Sequence, residues 1–232
     1  SKYSRFMKQK SPWTWIPSLY FAEGLPYVTV MTVSVIMYKN LGVSNTDLAF
    51  YTSWLYLPWV IKPFWSPFVD LLKSKRWWIL SMQLLIGAGL GGIAFFIPTT
   101  YFFQLSLFFF WILAFSSATQ DIAADGFYML ALSEEKQSFF IGIRSTFYRF
   151  STIAGQGLLV MLAGWIAEKT NNINLAWSLS FFCLAGIFIA FFLYHRKVLP
   201  FSEKDKYREK NKHILAEFKQ TILSFFTKKN IG

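Results

Sequence analysis

The sequence predicts an all-α membrane protein, a bundle of six transmembrane helices, and three observations predict it. Of the 232 residues, 54% are hydrophobic, 21% aromatic and only 15% charged, against about 25% charged in a soluble domain; such a chain does not wet its whole surface. The apolar residues fall into runs of the roughly 20 residues that a bilayer-spanning helix requires. The polar breaks between the runs are too short for anything but antiparallel neighbours. A mean hydropathy of +0.37 agrees, and disorder, a coiled coil and a nucleic-acid module are excluded together. The net charge of +11 is read as cations on cytoplasmic loops, not as a polyanion site.

The predicted spans run over residues 13–38, 47–70, 77–97, 102–132, 138–167 and 174–195, and together residues 1–195 form the bundle. The breaks are KNLGVSNT from Lys39 to Thr46, LLKSKR from Leu71 to Arg76, PTTY from Pro98 to Tyr101, SEEKQ from Ser133 to Gln137 and the EKTNN stretch from Glu168. Pro58, Pro63 and Pro67 are expected to kink the second span. No secretory signal is visible, because the first apolar run follows basic and polar residues and lacks a small-residue cleavage site. From residue 196 to 232 the composition turns polar, and Ile214, Phe218, Ile222 and Phe225 recur at helical spacing opposite lysines. This is read as a cytoplasmic linker carrying an amphipathic helix and leading toward a missing second half.

Lysine and arginine set the orientation, because cytoplasmic loops retain positive charge during insertion. Lys2, Arg5, Lys8 and Lys10 precede the first span; Lys73, Lys75 and Arg76 lie in the second break, Lys136 in the fourth, and ten more follow residue 195. The opposite loops hold only Lys39 and Lys169. Both ends of the chain are therefore expected in the cytoplasm.

A charged side chain within a span costs several kcal/mol unless it faces protein or water. Those here are Glu23, Lys62, Asp121, Asp125, Arg144 and Arg149, with Asp70 at the end of the second span. Asp121 and Asp125 share a face of span four, and Arg144 and Arg149 lie on span five. An antiparallel hairpin brings Asp121 level with Arg149 and Asp125 level with Arg144. They are either structural ion pairs that fix register or part of a substrate or proton pathway. Glu23 lies about 15 Å along the first helix from its cytoplasmic end, beside Gly24 and Pro26, which can open backbone to a cavity. It is the leading candidate for a proton-coupling carboxyl, and a pair with Lys62 is its structural alternative. Tyr20, Tyr148 and Gln156 are candidate cavity-lining residues. His195 and His213 are placed outside the spans, so no histidine relay is expected. The lone Cys183 suggests core packing. No phosphate-binding loop, zinc-hydrolase motif or nucleophile elbow is present in the sequence, no cofactor or metal is expected, and the protein is read as not an enzyme.

Two motifs resemble a known family. Trp65-Ser66-Pro67-Phe68-Val69-Asp70 followed by KSKRWW resembles the span-two to span-three signature of the major facilitator superfamily, where an acidic residue at a helix end meets a basic loop. Gln120-Asp121-Ile122-Ala123-Ala124-Asp125-Gly126 is similar to the QDIAxD motif of the AmpG-type muropeptide permeases and their eukaryotic relatives, the acetyl-CoA transporters of the endoplasmic reticulum. The resemblance implies twelve spans in two halves, of which this chain is the N-terminal half, moving by alternating access. It implies gating by Asp70, Lys73, Lys75 and Arg76, and a substrate site that includes Gln120.

The combined reading is the N-terminal half of a secondary transporter in a bacterial inner membrane, importing a muropeptide-like or other anionic solute with protons. Glu23, Asp121 and Asp125 are the proton-coupling candidates. Arg144, Arg149, Tyr20, Gln120, Tyr148 and Gln156 are the substrate-binding candidates, since a guanidinium binds carboxylate or phosphate bidentately. The expected partners are the lipid bilayer, a small-molecule substrate, protons and the C-terminal six-helix half. The alternative readings are a half-size transporter or non-transporting subunit, and a membrane-embedded transferase.

Overall fold

The first apolar run is a single helix, α1 (Pro12–Asn40), although Pro26 lies inside it. Proline has no N–H to donate, and just beyond it the backbone widens into a π-turn over Thr29–Val33. Thr29 Oγ1 donates to the Leu25 carbonyl at 2.7 Å, within this disturbed stretch. The structure, a computed structural model, describes residues 10–205; the proposed amphipathic helix and His213 lie outside the described residues.

The second run departs from the expected continuous span over 47–70. It consists of α2 (Asn45–Thr52), a 3-10 turn (Ser53–Tyr56), α3 (Leu57–Ile61), a second 3-10 turn (Lys62–Phe64) and α4 (Ser66–Leu72). Pro58, Pro63 and Pro67 each stand in the first two positions of a new segment, where a missing N–H costs nothing. The prolines thus divide the run instead of merely kinking it. Four long helices follow: α5 (Lys75–Phe96), α6 (Phe102–Ala131), α7 (Glu134–Thr170) and α8 (Ile173–Val198). Among the described residues, five helices rather than six are continuous, apolar and long enough to cross a membrane.

The polar breaks do more than reverse the chain. Ser44, Ser74, Ser133 and Asn172 each cap the helix that follows, accepting from the backbone N–H of Asp47, Trp77, Lys136 and Leu175, and so satisfy amides that a helix start leaves unpaired. The helices then form a ring in which α5 packs between α6 and α8, α8 reaches α7, and α7 lies along α1, which also touches α6. The broken second run packs on α6. Consecutive helices α6 and α7 touch little beyond their turn.

Two apolar clusters fill the bundle. One includes Trp15, Ile16, Leu19, Val69, Ala123 and Phe127; the other includes Ala22, Leu25, Val30, Leu90, Phe110, Ala118 and Phe188. Buried Gln120 and Asp121 fall between them in sequence on α6, and buried Glu23 follows Ala22 on α1. A second buried polar group lies nearer the chain ends. His195 belongs to α8, not to the polar flank, and is fully buried. Its Nε2 lies 2.9 Å from Ser18 Oγ and its Nδ1 within 3.1 Å of the Gln83 amide, tying α8 to α1 and α5.

Helices α1 and α7 approach so closely that Gly24 has no room for a side chain. A Cβ there would overlap Ser151 Oγ and stand 2.7 Å from the Tyr148 carbonyl oxygen, which is backbone and cannot step aside. We expect Gly24→Ala to lower stability by about 1–3 kcal/mol, the usual cost of overpacking. Gly157→Ala on α7, where a Cβ meets nothing within 4 Å, should be neutral or slightly stabilising. Thermal unfolding of the two variants in detergent checks the contrast.

Candidate functional site

The Gly24 contact places Glu23 of α1 against α7, and the acidic motif on α6 completes the enclosure. A cavity of about 250 Å³ is lined by Tyr20, Glu23, Asp125, Arg144, Tyr148 and Arg149, with Ser145 at its wall. Six of the residues singled out from sequence therefore meet at one place, contributed by three helices.

The site contains an ion pair with a phenol between its members. Arg144 Nη1 donates to Asp125 Oδ1 at 3.0 Å and to Tyr20 Oη at 2.9 Å, while Tyr20 Oη donates to the same Asp125 oxygen at 3.1 Å. The Arg144 guanidinium also lies over the rings of Tyr128 and Tyr20, 4.7 and 5.2 Å from their centroids. Ring faces attract the cation, so Arg144 is held from several sides. The level pair Asp125–Arg144 read from the hairpin is present.

The other level pair is not. Asp121 Oδ2 lies 3.8 Å from Lys62 Nζ, and Arg149, an exposed residue at the cavity wall, makes no ion pair among the described residues. The reason is the divergence of α6 and α7: equal depth in a hairpin brings side chains together only where the helices stay in contact. Asp125 and Arg144 are nearer the turn at Ser133, whereas Asp121 and Arg149 are farther along the opening wedge. Lys62 can take the place of Arg149 because the second 3-10 turn carries it against α6.

Glu23 is not paired with Lys62; it faces the Asp121 carboxyl. Both side chains are buried, and Glu23 Oε2 has no hydrogen-bond donor among the described residues. The Trp59 indole also faces Asp121. Neighbouring Gln120 is fully buried with neither amide atom hydrogen-bonded among the described residues; it does not line the cavity. Gln156 is exposed on α7, about two turns beyond Arg149, and lies outside the cavity as well.

The second motif assembles separately, at the start of α5. The Lys75 ammonium contacts the Asp70 carboxylate, and its aliphatic stem crosses Gly126, where a Cβ would come within 2.7 Å of Lys75 Cε. Glycine in the acidic motif is thus a seat for the lysine of the basic loop. Lys73 Nζ lies 5.9 Å over the Trp77 ring. Arg76 donates to the carbonyls of Arg196 at 2.6 Å and Leu199 at 3.3 Å. Asp205, 130 residues on, accepts from the Lys75 N–H at 2.6 Å and the Arg76 N–H at 3.0 Å. Sequence reading missed Asp205 and the Lys62–Asp121 pair. No local pattern signals Asp205, while the depth of Lys62 signalled a partner but not which carboxyl.

Stability measurements separate the two assignments for Asp121. A double-mutant cycle on Asp121→Asn with Lys62→Gln should show a coupling of about 0.5–1 kcal/mol, small because Lys62 is partly exposed. The cycle with Arg149→Gln should be additive. Thermal unfolding of the three single and two double variants in one detergent provides the check.

The Major Facilitator Superfamily profile matches residues 18–231. The chain is 29% identical over 203 residues to the "Putative transporter AmpG 4" of Rickettsia conorii, covering 81% of this chain and 44% of that protein. It is 27% identical over 181 residues to the "Anhydromuropeptide permease" of Escherichia coli K12, covering 73% and 33%. An "Uncharacterized membrane protein" of Saccharomyces cerevisiae is 30% identical over 148 residues, 52% of this chain and 26% of its own length. The chain thus spans less than half the length of these relatives. A helical bundle with five membrane-length helices, an acidic helix end seated on a basic loop, and a family match over nearly the whole chain lead to one conclusion: this chain belongs to the Major Facilitator Superfamily.

Proposed function

We propose that the chain is the N-terminal half of a proton-coupled importer of an anionic small solute, a muropeptide-like one first, working by alternating access. Residues 1–195 would form the transmembrane half and residues 196–232 the link to a second, similar half, with both ends of the chain in the cytoplasm of a bacterial cell. The length comparison supports two halves, since the relatives extend far beyond the matched part. So does the surface: α7 buries only Phe140, Ser151, Leu159 and Ala163 of its 37 residues, and the second run exposes Phe50, Trp54, Val60 and Phe64.

The observation that carries the proposal is the meeting of Glu23 with Asp121 beside a cavity walled by Arg144 and Arg149. Two carboxyl groups that face one another are satisfied by a single proton between them, which would supply the donor that Glu23 Oε2 lacks. Loading and release of that proton is the coupling step in this reading. Arg149, which makes no ion pair among the described residues, offers a fork for a substrate carboxylate or phosphate at the cavity wall, while Asp125 holds Arg144 and Tyr20 in place. Asp121 is tied to Lys62, so a change at the Glu23–Asp121 pair reaches the broken second run. Rearrangement of that run, with the Asp70–Lys75 contact at its end, is the gating element.

The test uses the full-length protein in proteoliposomes under an imposed pH gradient, with muropeptides, peptides, sugars and acyl-CoA thioesters as solutes. Glu23→Gln keeps size and hydrogen bonding but cannot release a proton, so accumulation should disappear while exchange at equal concentrations survives. Accumulation equal to wild type at every external pH would overturn the role of Glu23. Uptake of no offered anion would overturn the substrate class.

A further inference from the structure

A second cavity lies apart from the one between α1, α6 and α7. A cleft of about 810 Å³ opens on the flank of the bundle between the start of α5 and the end of α8, closed off at one end by the chain following α8. Helix α5 is separated from α7 by α6 and α8, so this cleft opens away from the site and from the exposed α7 face. Its two ends differ in chemistry.

The end near the helix termini is cationic. Lys73, Arg76 and Arg196 line it, and neither Lys73 nor Arg196 makes an ion pair among the described residues. Arg76 is fixed: its donations to the Arg196 and Leu199 carbonyls and its contact with the Phe201 ring, 4.2 Å from the centroid, use two of its five N–H donors. The acidic lining residue, Asp205, turns its carboxylate onto the backbone amides of Lys75 and Arg76. Those amides are consumed, so the side-chain cations and not the helix start face the cleft. The other end is apolar, walled by Trp77, Leu80, Leu84 and Phe192, with Trp77 and Leu84 exposed on the flank.

A phosphate-sized anion with two apolar chains fits this sequence of surfaces, and a free anion does not use the apolar half. We propose that the α5–α8 cleft binds one anionic phospholipid. Its phosphate is held by Lys73, Arg76 and Arg196, and its acyl chains run along Trp77, Leu80, Leu84 and Phe192. Basic pockets between transmembrane helices on the positively charged side recognise such headgroups. Because Phe201 and Asp205 also border the cleft, a lipid there braces the link after α8 against the bundle. The inference rests on the membrane-spanning fold and not on the transport assignment.

Native mass spectrometry of the full-length protein, delipidated and titrated with phosphatidylglycerol, phosphatidylcholine or inorganic phosphate, tests it. Phosphatidylglycerol should be retained as one tight molecule per chain, phosphatidylcholine at least tenfold more weakly, and phosphate not at all. Lys73→Gln with Arg196→Gln, two exposed side chains, should weaken the phosphatidylglycerol step about tenfold or more. Thermal unfolding of this variant without lipid should match wild type. Equal retention of both lipids, binding of phosphate alone, or an unaltered phosphatidylglycerol step in the double variant would overturn the proposal.

Discussion

Charge buried in a bilayer-spanning bundle must find charge or a hydrogen bond of its own, and much of the structure depends on that constraint. An unpaired ion at this depth costs several kcal/mol, comparable with a large part of the stability of an ordinary domain. Asp125 meets the constraint through Arg144 and Tyr20, and Asp121 through Lys62. Both solutions require particular backbone. Arg144 reaches Asp125 because α6 and α7 are still close near their turn. Lys62 reaches Asp121 because proline-rich 3-10 segments replace a regular helix in the second run. Among the described residues, Glu23 is the acid within a span that makes no ion pair, and it lies where Gly24 brings α1 and α7 together. In the proposed mechanism this is the feature that transport uses.

The same accounting extends to the membrane edge. Lys75 is nearly buried and tolerated because Asp70 receives its ammonium and Gly126 admits its stem. Helix α5 begins with amides that need acceptors; Ser74 supplies one and Asp205 two more. The link after α8 is therefore part of the structure of α5, and Arg76 adds two contacts to the same segment. In the proposed mechanism, motion of the second run is passed through Asp70 to the start of α5 and from there to the link. His195, Gln83 and Ser18 bind α8, α5 and α1 near the same end, which stiffens the part of the bundle against which such motion would occur.

The sequence alone determined the class of the protein and the identities of its unusual residues. Composition and run length dictate a membrane bundle, because apolar segments of this length have no other stable solution. Glu23, Asp125, Arg144, Arg149, Tyr20 and Tyr148 were identifiable because polar groups in apolar runs are costly and so conspicuous, and the cavity indeed gathers them. What the tertiary structure decided is partnership. Pairing by depth holds for Asp125 with Arg144 but fails for Asp121 with Arg149, since depth is a local property of one helix and separation depends on how two helices diverge. Gln156 lies at a comparable position on paper yet is turned outward by the helical phase of α7. His195 is expected outside the spans, and its burial comes from packing against α1 and α5. The role of Asp205 arises 130 residues from its partners in the chain. Local sequence records what a residue costs to bury; only the assembled bundle decides which neighbour offsets that cost.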